Sequence, residues 1–297
     1  MGVGVGFASA CASATVVNAI ATGKGAAFGI ELRVEAMVKL TKGKKITGRI
    51  IGGRNESPKL IEICVRKVLE HLSERRNYGA QVETTSEIPI AAGLSSSSAA
   101  ANAAVLATFA ALGIKPEPKI VLDLGIDAAF EAGVTITGAF DDAAASFYGY
   151  GVVTDNLRRK VLKRFKVDPG LKIVVHVPPT KFYTAKVSPA ALKPIKGPVA
   201  AVHRMALRGD IWEALTINGL LYSTALGQDP MPAIMAMSKG ALAAGLTGTG
   251  PATVAVVTAD DAAAVATSWR AWPGRVIITN PAVNGARMEE GAWQTKS

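Results

Sequence analysis

The chain of 297 residues contains only two cysteines, Cys11 and Cys64, and no Cys-x-x-Cys pair. That excludes a disulfide-built scaffold and a cysteine zinc site, and it fits a reducing compartment. Histidine is almost as scarce. His71, His176 and His203 stand far apart without His-Glu-x-x-His spacing, so each reads as a surface or packing residue and not a metal ligand. Aromatic residues make up 6% of the chain. Ala, Gly and Val fill much of the interior instead, which implies close helix–sheet contact through small side chains. Nowhere is there the roughly 18-residue uninterrupted apolar run of a membrane span. The uncharged stretch Met1–Ala21 comes nearest, but it lacks a basic start and is interrupted by Gly2, Gly4 and Gly6. Within it, 15–20 reads as a buried strand. These absences lead to the expectation of a soluble, cytoplasmic protein that does not engage a membrane.

The remaining composition is globular, with 49% hydrophobic and 19% charged residues. Lysine and arginine outnumber the acids 33 to 23, a formal charge of +10 that helps to draw in anionic substrates. The densest basic run, 157–166, has apolar residues at Leu157, Val161, Leu162 and Phe165. That spacing suggests the solvated face of a short amphipathic segment, and no nucleic-acid-binding signature accompanies it. Nucleic-acid binding stays in view only as the rival from another functional class.

Along the chain, Ile30–Leu40 alternates like a strand, and Pro58–Arg75 has the apolar periodicity of a helix, with Ser57 placed to cap it. Ala80–Ser86 reads as a strand and Ser97–Leu112 as an alanine-rich helix. After Tyr150 the character changes. A strand at Lys172–Val177 precedes helices over 199–208, 211–226 and 231–244, then a strand at Thr253–Thr258, a helix over 259–271 and a last strand at Arg275–Thr279. The expected architecture is α+β in two lobes, 1–155 and 156–297.

The chemistry concentrates at Pro89-Ile-Ala-Ala-Gly-Leu-Ser-Ser-Ser-Ser-Ala99. A strand enters a tight turn and a helix begins among the serines. Free N–H groups and the macrodipole at a helix start favour an anion. Gly93 lets backbone approach a phosphate, and the hydroxyls add donors for phosphate oxygens or lone pairs for Mg²⁺. One or two serines suffice to cap a helix, so four in a row ask for another explanation. The lysine of a Walker A loop is missing.

This segment resembles the second motif of the GHMP kinase superfamily, which includes galactokinase, homoserine kinase and mevalonate kinase. The resemblance implies that Pro89, Ala91, Ala92, Gly93, Leu94, Ser95, Ser96, Ser97 and Ser98 wrap the phosphates of ATP, with Ser97 touching Mg²⁺. Ala91 departs from the usual glycine. Ala244–Ala252 resembles the third, glycine-rich motif, closest to its homoserine-kinase form, and Asn18 sits where the first motif has its asparagine. Asn18, Thr247, Gly248 and Thr249 are thereby implied to contact substrate. The three motifs stand in order across nearly the whole chain, and the resemblance carries the two-lobed fold, with a ferredoxin-like C-terminal lobe.

Acidic residues flank the stretch from Ala132 to Phe140. Adjacent carboxylates at Asp141 and Asp142, in an apolar setting, are costly unless paired or metal-bound. In an Mg·ATP kinase one carboxylate holds the metal and another orients the accepting hydroxyl. Glu131 and Asp142 keep the eleven-residue separation of the metal glutamate and catalytic aspartate in mevalonate-kinase-like relatives. By that comparison Glu131 is implied as a metal ligand and Asp142 as the base. Counting from Gly138, as in galactokinase, selects Asp141 instead.

The segment from Asn18 to Ile30 lacks the Gly-Glu-His of sugar kinases and resembles the archaeal, GHMP-type shikimate kinases, as does Thr137-Gly-Ala-Phe-Asp-Asp-Ala143. The activity so implied is transfer of the ATP γ-phosphoryl group to the 3-hydroxyl of shikimate, with homoserine kinase as the runner-up. Lys24, between Gly23 and Gly25, is expected to face the substrate carboxylate.

Overall fold

Two long strands, β1 (Val5–Val17) and β2 (Lys24–Lys42), run antiparallel through the centre of the first sheet. The computed structural model describes residues 4–53, 56–74, 77–183 and 187–289. Beyond β2 lie β4 (Tyr78–Ser86) and, parallel to it, β3 (Ile46–Ile50). The first residues of β2 pair instead with β5 (Gly151–Asp155), which forms a hairpin with β6 (Lys160–Phe165). The chain returns at its end to place β11 (Arg287–Glu289) beside β1.

Against this sheet lie α1 (Lys59–His71), α2 (Ser96–Ala111) and α4 (Phe140–Tyr148), with α3 (Pro118–Ala132) packed on these three helices. The helix α2 is apolar on every side and is accordingly buried, as expected for a helix without a polar face. Its alanines allow close approach to β1. A Cβ on Gly6 would stand 2.2 Å from the Ala107 carbonyl oxygen. The early glycines therefore serve sheet–helix contact.

The second sheet orders its antiparallel strands β10 (Arg275–Thr279), β7 (Lys172–Val177), β9 (Thr253–Val257) and β8 (Ala243–Leu246). That order, with α9 (Ala262–Trp269) between β9 and β10, is the ferredoxin-like arrangement. Before β8 come the short α5 (Pro189–Leu192), α6 (Lys196–Arg208), α7 (Ile211–Leu226) and α8 (Met231–Ser238). The helix α7 packs on both β1 and β8, so one core runs through both lobes. A Cβ on Gly219 of α7 would meet the Gly245 Cα at 2.4 Å.

Several sequence expectations change. The strand expected over 15–20 is the tail of the longer β1, which ends at Val17. The basic run 157–166 is a hairpin and not a helical segment. Its residues alternate between exposed and half-buried along β6, and Arg159, at φ +49°, turns back to pair with Asp123 and Asp127. The helix expected over 231–244 stops at Ser238, and Gly240, at φ +95°, turns the chain into β8. The helix expected to reach Arg75 ends at His71, while Arg75 itself lies outside the described residues. The hairpin also carries the first sheet past residue 155, to Phe165.

Candidate active site

The serine loop owes its shape to three left-handed residues at alternate positions: Ala91 (φ +56°), Gly93 (φ +84°) and Ser95 (φ +59°). Left-handed backbone costs a residue with a Cβ about 1 kcal/mol or more, so Ala91 and Ser95 are held there by their surroundings. Those surroundings come from the second lobe. The carbonyls of Ala91, Ala92 and Gly93 accept hydrogen bonds from Phe182 N, Ala252 N and the Thr247 hydroxyl at 3.1, 3.1 and 3.0 Å. Gly93 is required by contact as well as by φ, because a Cβ would lie 2.2 Å from the Thr247 carbonyl oxygen. With the loop carbonyls occupied, the first amides of α2 and the hydroxyls of Ser95, Ser96, Ser97 and Ser98 line a cleft of about 270 Å³.

The glycine-rich loop closes the same cleft. Thr247 N–H is engaged by its own loop at Ala252 O, and its hydroxyl oxygen accepts Thr15 N–H at 3.1 Å. In return the Thr15 hydroxyl accepts Gly248 N–H at 2.9 Å. Asn18 donates its amide to Gly248 O at 2.7 Å and accepts Ile20 N–H at 2.9 Å. Asn18, Gly248 and Thr249 thus line the cleft, whereas Thr247 is wholly buried and ties the two loops together.

The carboxylates stand at the start of α4, raised into place by Gly138 (φ +82°) and Ala139 (φ +46°). Both line the cleft, but they face opposite ways. Asp142 Oδ1 accepts the Ser13 hydroxyl at 3.1 Å, and Ser13 lies 2.7 Å from the Ser95 hydroxyl, so this acid is tied to the serine loop. Asp141 is 3% exposed and accepts the Asn156 amide at 2.7 Å. Burial holds both carboxyls above the usual carboxylate range, and the charge of Asp141 raises Asp142 further; hydroxyl and amide donors oppose the shift. The layout places a buried carboxyl beside the serine loop, at the cleft.

Glu131 is not part of it. Near the end of α3 its carboxylate is exposed and joined to Arg66 and, at 3.3 Å, to Lys67 of α1, which holds it below the usual range. The spacing of eleven residues does not bring it to Ser97, because the intervening turn leads α4 into the core while α3 ends at the surface. Lys24 is also outside the cleft. Successive side chains of a strand face opposite ways. Gly25 faces Asp141, at 2.1 Å from Oδ2 for an added Cβ, so Lys24 points outward and is exposed. Within the serine loop, Ala92 and Leu94 are core residues and Pro89 does not line the cleft.

The far end of the cleft is apolar, with Ile50, Leu60, Ile61, Val134, Ile136 and Phe182 around it. Glu56 sits at its rim, paired with Lys181 at 2.7 Å. None of these was singled out from sequence, since an apolar residue on a strand or helix carries no mark that separates cleft from core. Ser13 and Asn156 were missed for a related reason: what distinguishes them is contact with acids more than a hundred residues away for Ser13, and fifteen away for Asn156. Among the described residues there is no cluster of histidine, cysteine or acidic side chains able to hold a metal by itself, and no helix long and apolar enough to cross a membrane.

The chain matches the family described as GHMP kinases N terminal domain over residues 60–150 and GHMP kinases C terminal over 233–274. It is 44% identical over 283 residues to a shikimate kinase of Methanothrix thermoacetophila, covering 95% of this chain and 96% of that protein. It is 42% identical over 283 residues to the shikimate kinase of Methanothermobacter thermautotrophicus, covering 94% and 96%. Among solved structures it is similar to a homoserine kinase from Cytophaga hutchinsonii, with a TM-score of 0.77 at 20% identity over 96% of this chain and 97% of that one. The mevalonate kinase of Methanococcus jannaschii gives a TM-score of 0.71 at 16% identity, over 93% and 98%. At such identities the two solved structures speak for the fold alone.

Proposed function

The chain belongs to the GHMP kinases, and from that premise we propose that it transfers the γ-phosphoryl group of ATP to the 3-hydroxyl of shikimate. The observation that carries the chemical part is the placing of Asp142 against the phosphate-cradling loop, through Ser13 and Ser95. The choice of substrate rests on the shikimate kinases to which the chain is similar over nearly its whole length.

In this reading the amides at the start of α2 and the hydroxyls of Ser95 to Ser98 bind the ATP phosphates, and Asn18, Gly248 and Thr249 border the acceptor. The hydroxyl oxygens of Ser97 and its neighbours would suit Mg²⁺, which when bound would offset charge on the phosphates. Asp142 orients the attacking hydroxyl and accepts its proton. Burial and the charge of Asp141 raise the Asp142 carboxyl, so the ionised form that can accept the proton grows as pH rises, and that form binds the proton more firmly than a free carboxylate does. Positioning does most of the remaining work, with the two lobes holding donor and acceptor in line. The ATP requirement favours the cytoplasm as the compartment.

A coupled ADP-release assay across shikimate, homoserine and mevalonate tests the reading. Turnover of shikimate well above the other two is expected. Faster turnover of homoserine would overturn the substrate and leave the kinase assignment standing; salt-dependent nucleic-acid affinity without any turnover would overturn both.

A further inference from the structure

Asp141 leads away from the serine loop into a buried polar network that phosphate binding does not use. Its Oδ1 accepts the Nδ2 amide of Asn156 at 2.7 Å. The other end of that amide, Oδ1, accepts the Thr154 hydroxyl at 2.6 Å. The carbonyl of Gly25, 3.2 Å from the same hydroxyl, is a second acceptor for its one proton. An amide can turn end for end, but the Asp141 carboxylate only accepts, so it holds the nitrogen towards itself and leaves the amide oxygen to the Thr154 hydroxyl. The backbones are held too: Asn156 N–H donates to Gly23 O at 2.9 Å, and His203 Nε2 donates to Thr154 O at 3.1 Å. Asn156 is 3% exposed and Thr154 fully buried. On the opposite side of the carboxylate stands Gly25, where any Cβ would come within 2.1 Å of Oδ2.

A carboxylate oriented this firmly presents fixed lone pairs. One meets Asn156, and no cationic side chain lies against Asp141 among the described residues. Asp141 nonetheless lines the cleft beside Asp142. Two adjacent acids facing different ways match two neighbouring hydroxyls of a polyol better than a single hydroxyl. We infer that Asp141 accepts the substrate hydroxyl next to the one phosphorylated, and that Asn156, locked by Thr154, is the positioning residue that keeps Asp141 turned to it. This rests on the shikimate kinase reading, because shikimate carries neighbouring hydroxyls and homoserine carries only one.

The test compares kcat/KM for shikimate and for its analogue lacking the hydroxyl beside the phosphorylated one, in the wild type and in Asn156→Ala, Thr154→Val and Thr154→Ser. A hydrogen bond to a charged group predicts a wild-type preference for shikimate of roughly ten- to a hundredfold. Asn156→Ala should lose most of that preference, by lowering kcat/KM for shikimate while leaving the analogue nearly unchanged. Thr154→Val, nearly the same shape without the hydroxyl, should lose part of it, and Thr154→Ser should restore it. A wild type that uses both compounds equally well overturns the inference. So does an equal fall for both compounds in Asn156→Ala and Thr154→Val, which marks the network as structural only. If Asn156→Ala does not fold, the Thr154 pair decides alone. Absence of any turnover on shikimate is a different failure, that of the substrate reading itself.

Discussion

The acids at the start of α4 and the acid at the end of α3 differ in almost everything but their residue type. Glu131 lies in solvent between Arg66 and Lys67, where water and salt screen an ion pair and leave it little weight in stability. Asp141 and Asp142 are enclosed, adjacent to each other, and held by a serine, a second serine and an asparagine, all neutral. A fold selected only for stability would not keep two buried carboxylates without a cation. The pair is kept at a cost that a ligand's hydroxyls can offset, and this difference is the ground on which the proposed base is placed here and not at Glu131.

Removing the base should have the largest effect. Asp142→Asn is expected to lower kcat by roughly 10²–10⁴ while ATP binding and the fold persist, measured by single-turnover kinetics beside ATP titration. Should Asp141→Asn abolish turnover and Asp142→Asn spare it, the base lies one residue upstream and the comparison of the two acids is reversed.

Loss of one oxygen contact comes next. Ser97→Ala should raise the Mg²⁺ concentration needed for half-maximal rate by about tenfold, a typical cost for a contact to a charged group. A titration curve superimposing on that of the wild type removes Ser97 from the metal's surroundings.

The same acids make a stability prediction of opposite sign. Their folded values lie above the unfolded carboxylate value of about 3.9, so the folded protein binds these protons more tightly than the unfolded chain does. Stability from this source is complete below that value and is lost as pH rises through the raised folded one. Asp141→Asn has no such loss. Its melting temperature should match that of the wild type near pH 4 and exceed it at neutral pH, by about 2–4 °C for each 1 kcal/mol relieved. Equal melting temperatures across that range would show that the pair carries no penalty.

The exposed residues should matter least. Lys24→Met and Glu131→Gln are expected to leave KM for shikimate and the Mg²⁺ requirement within about twofold of wild type, since neither side chain lines the cleft. A rise of tenfold or more for Lys24→Met would mean that the lysine swings inward when substrate binds, and the boundary between working and idle charges would have to be redrawn.

Most of the elements were legible because their signals are local. The periodicity of α1, the alanine-rich α2 and the alternation of β2 each follow from residues within one turn or one pleat of each other. The serine loop was legible for the same reason: its turn, its glycine and its hydroxyls are consecutive. The hairpin at 157–166 was not, because apolar residues at its ends happened to mimic helical spacing, and the competing signal was pairing with β5, a partner known only in three dimensions. Lys24 and Glu131 show the same limit at the site. Their positions matched motif spacing, while the direction of each side chain depended on which face of a strand or helix met the core.

By itself, then, the sequence determined the α+β character, the serine-rich turn at a helix start, the presence of two neighbouring acids and the family to which these belong. Only the tertiary structure decided which acid meets the serine loop, that Ser13 and Asn156 hold the pair, and that Glu131 is bound to α1. The physical reason is that propensity and capping act between near neighbours along the chain. Burial, the approach of Gly93 to Thr247 and the partners of the buried acids are set by segments that meet only when the chain packs.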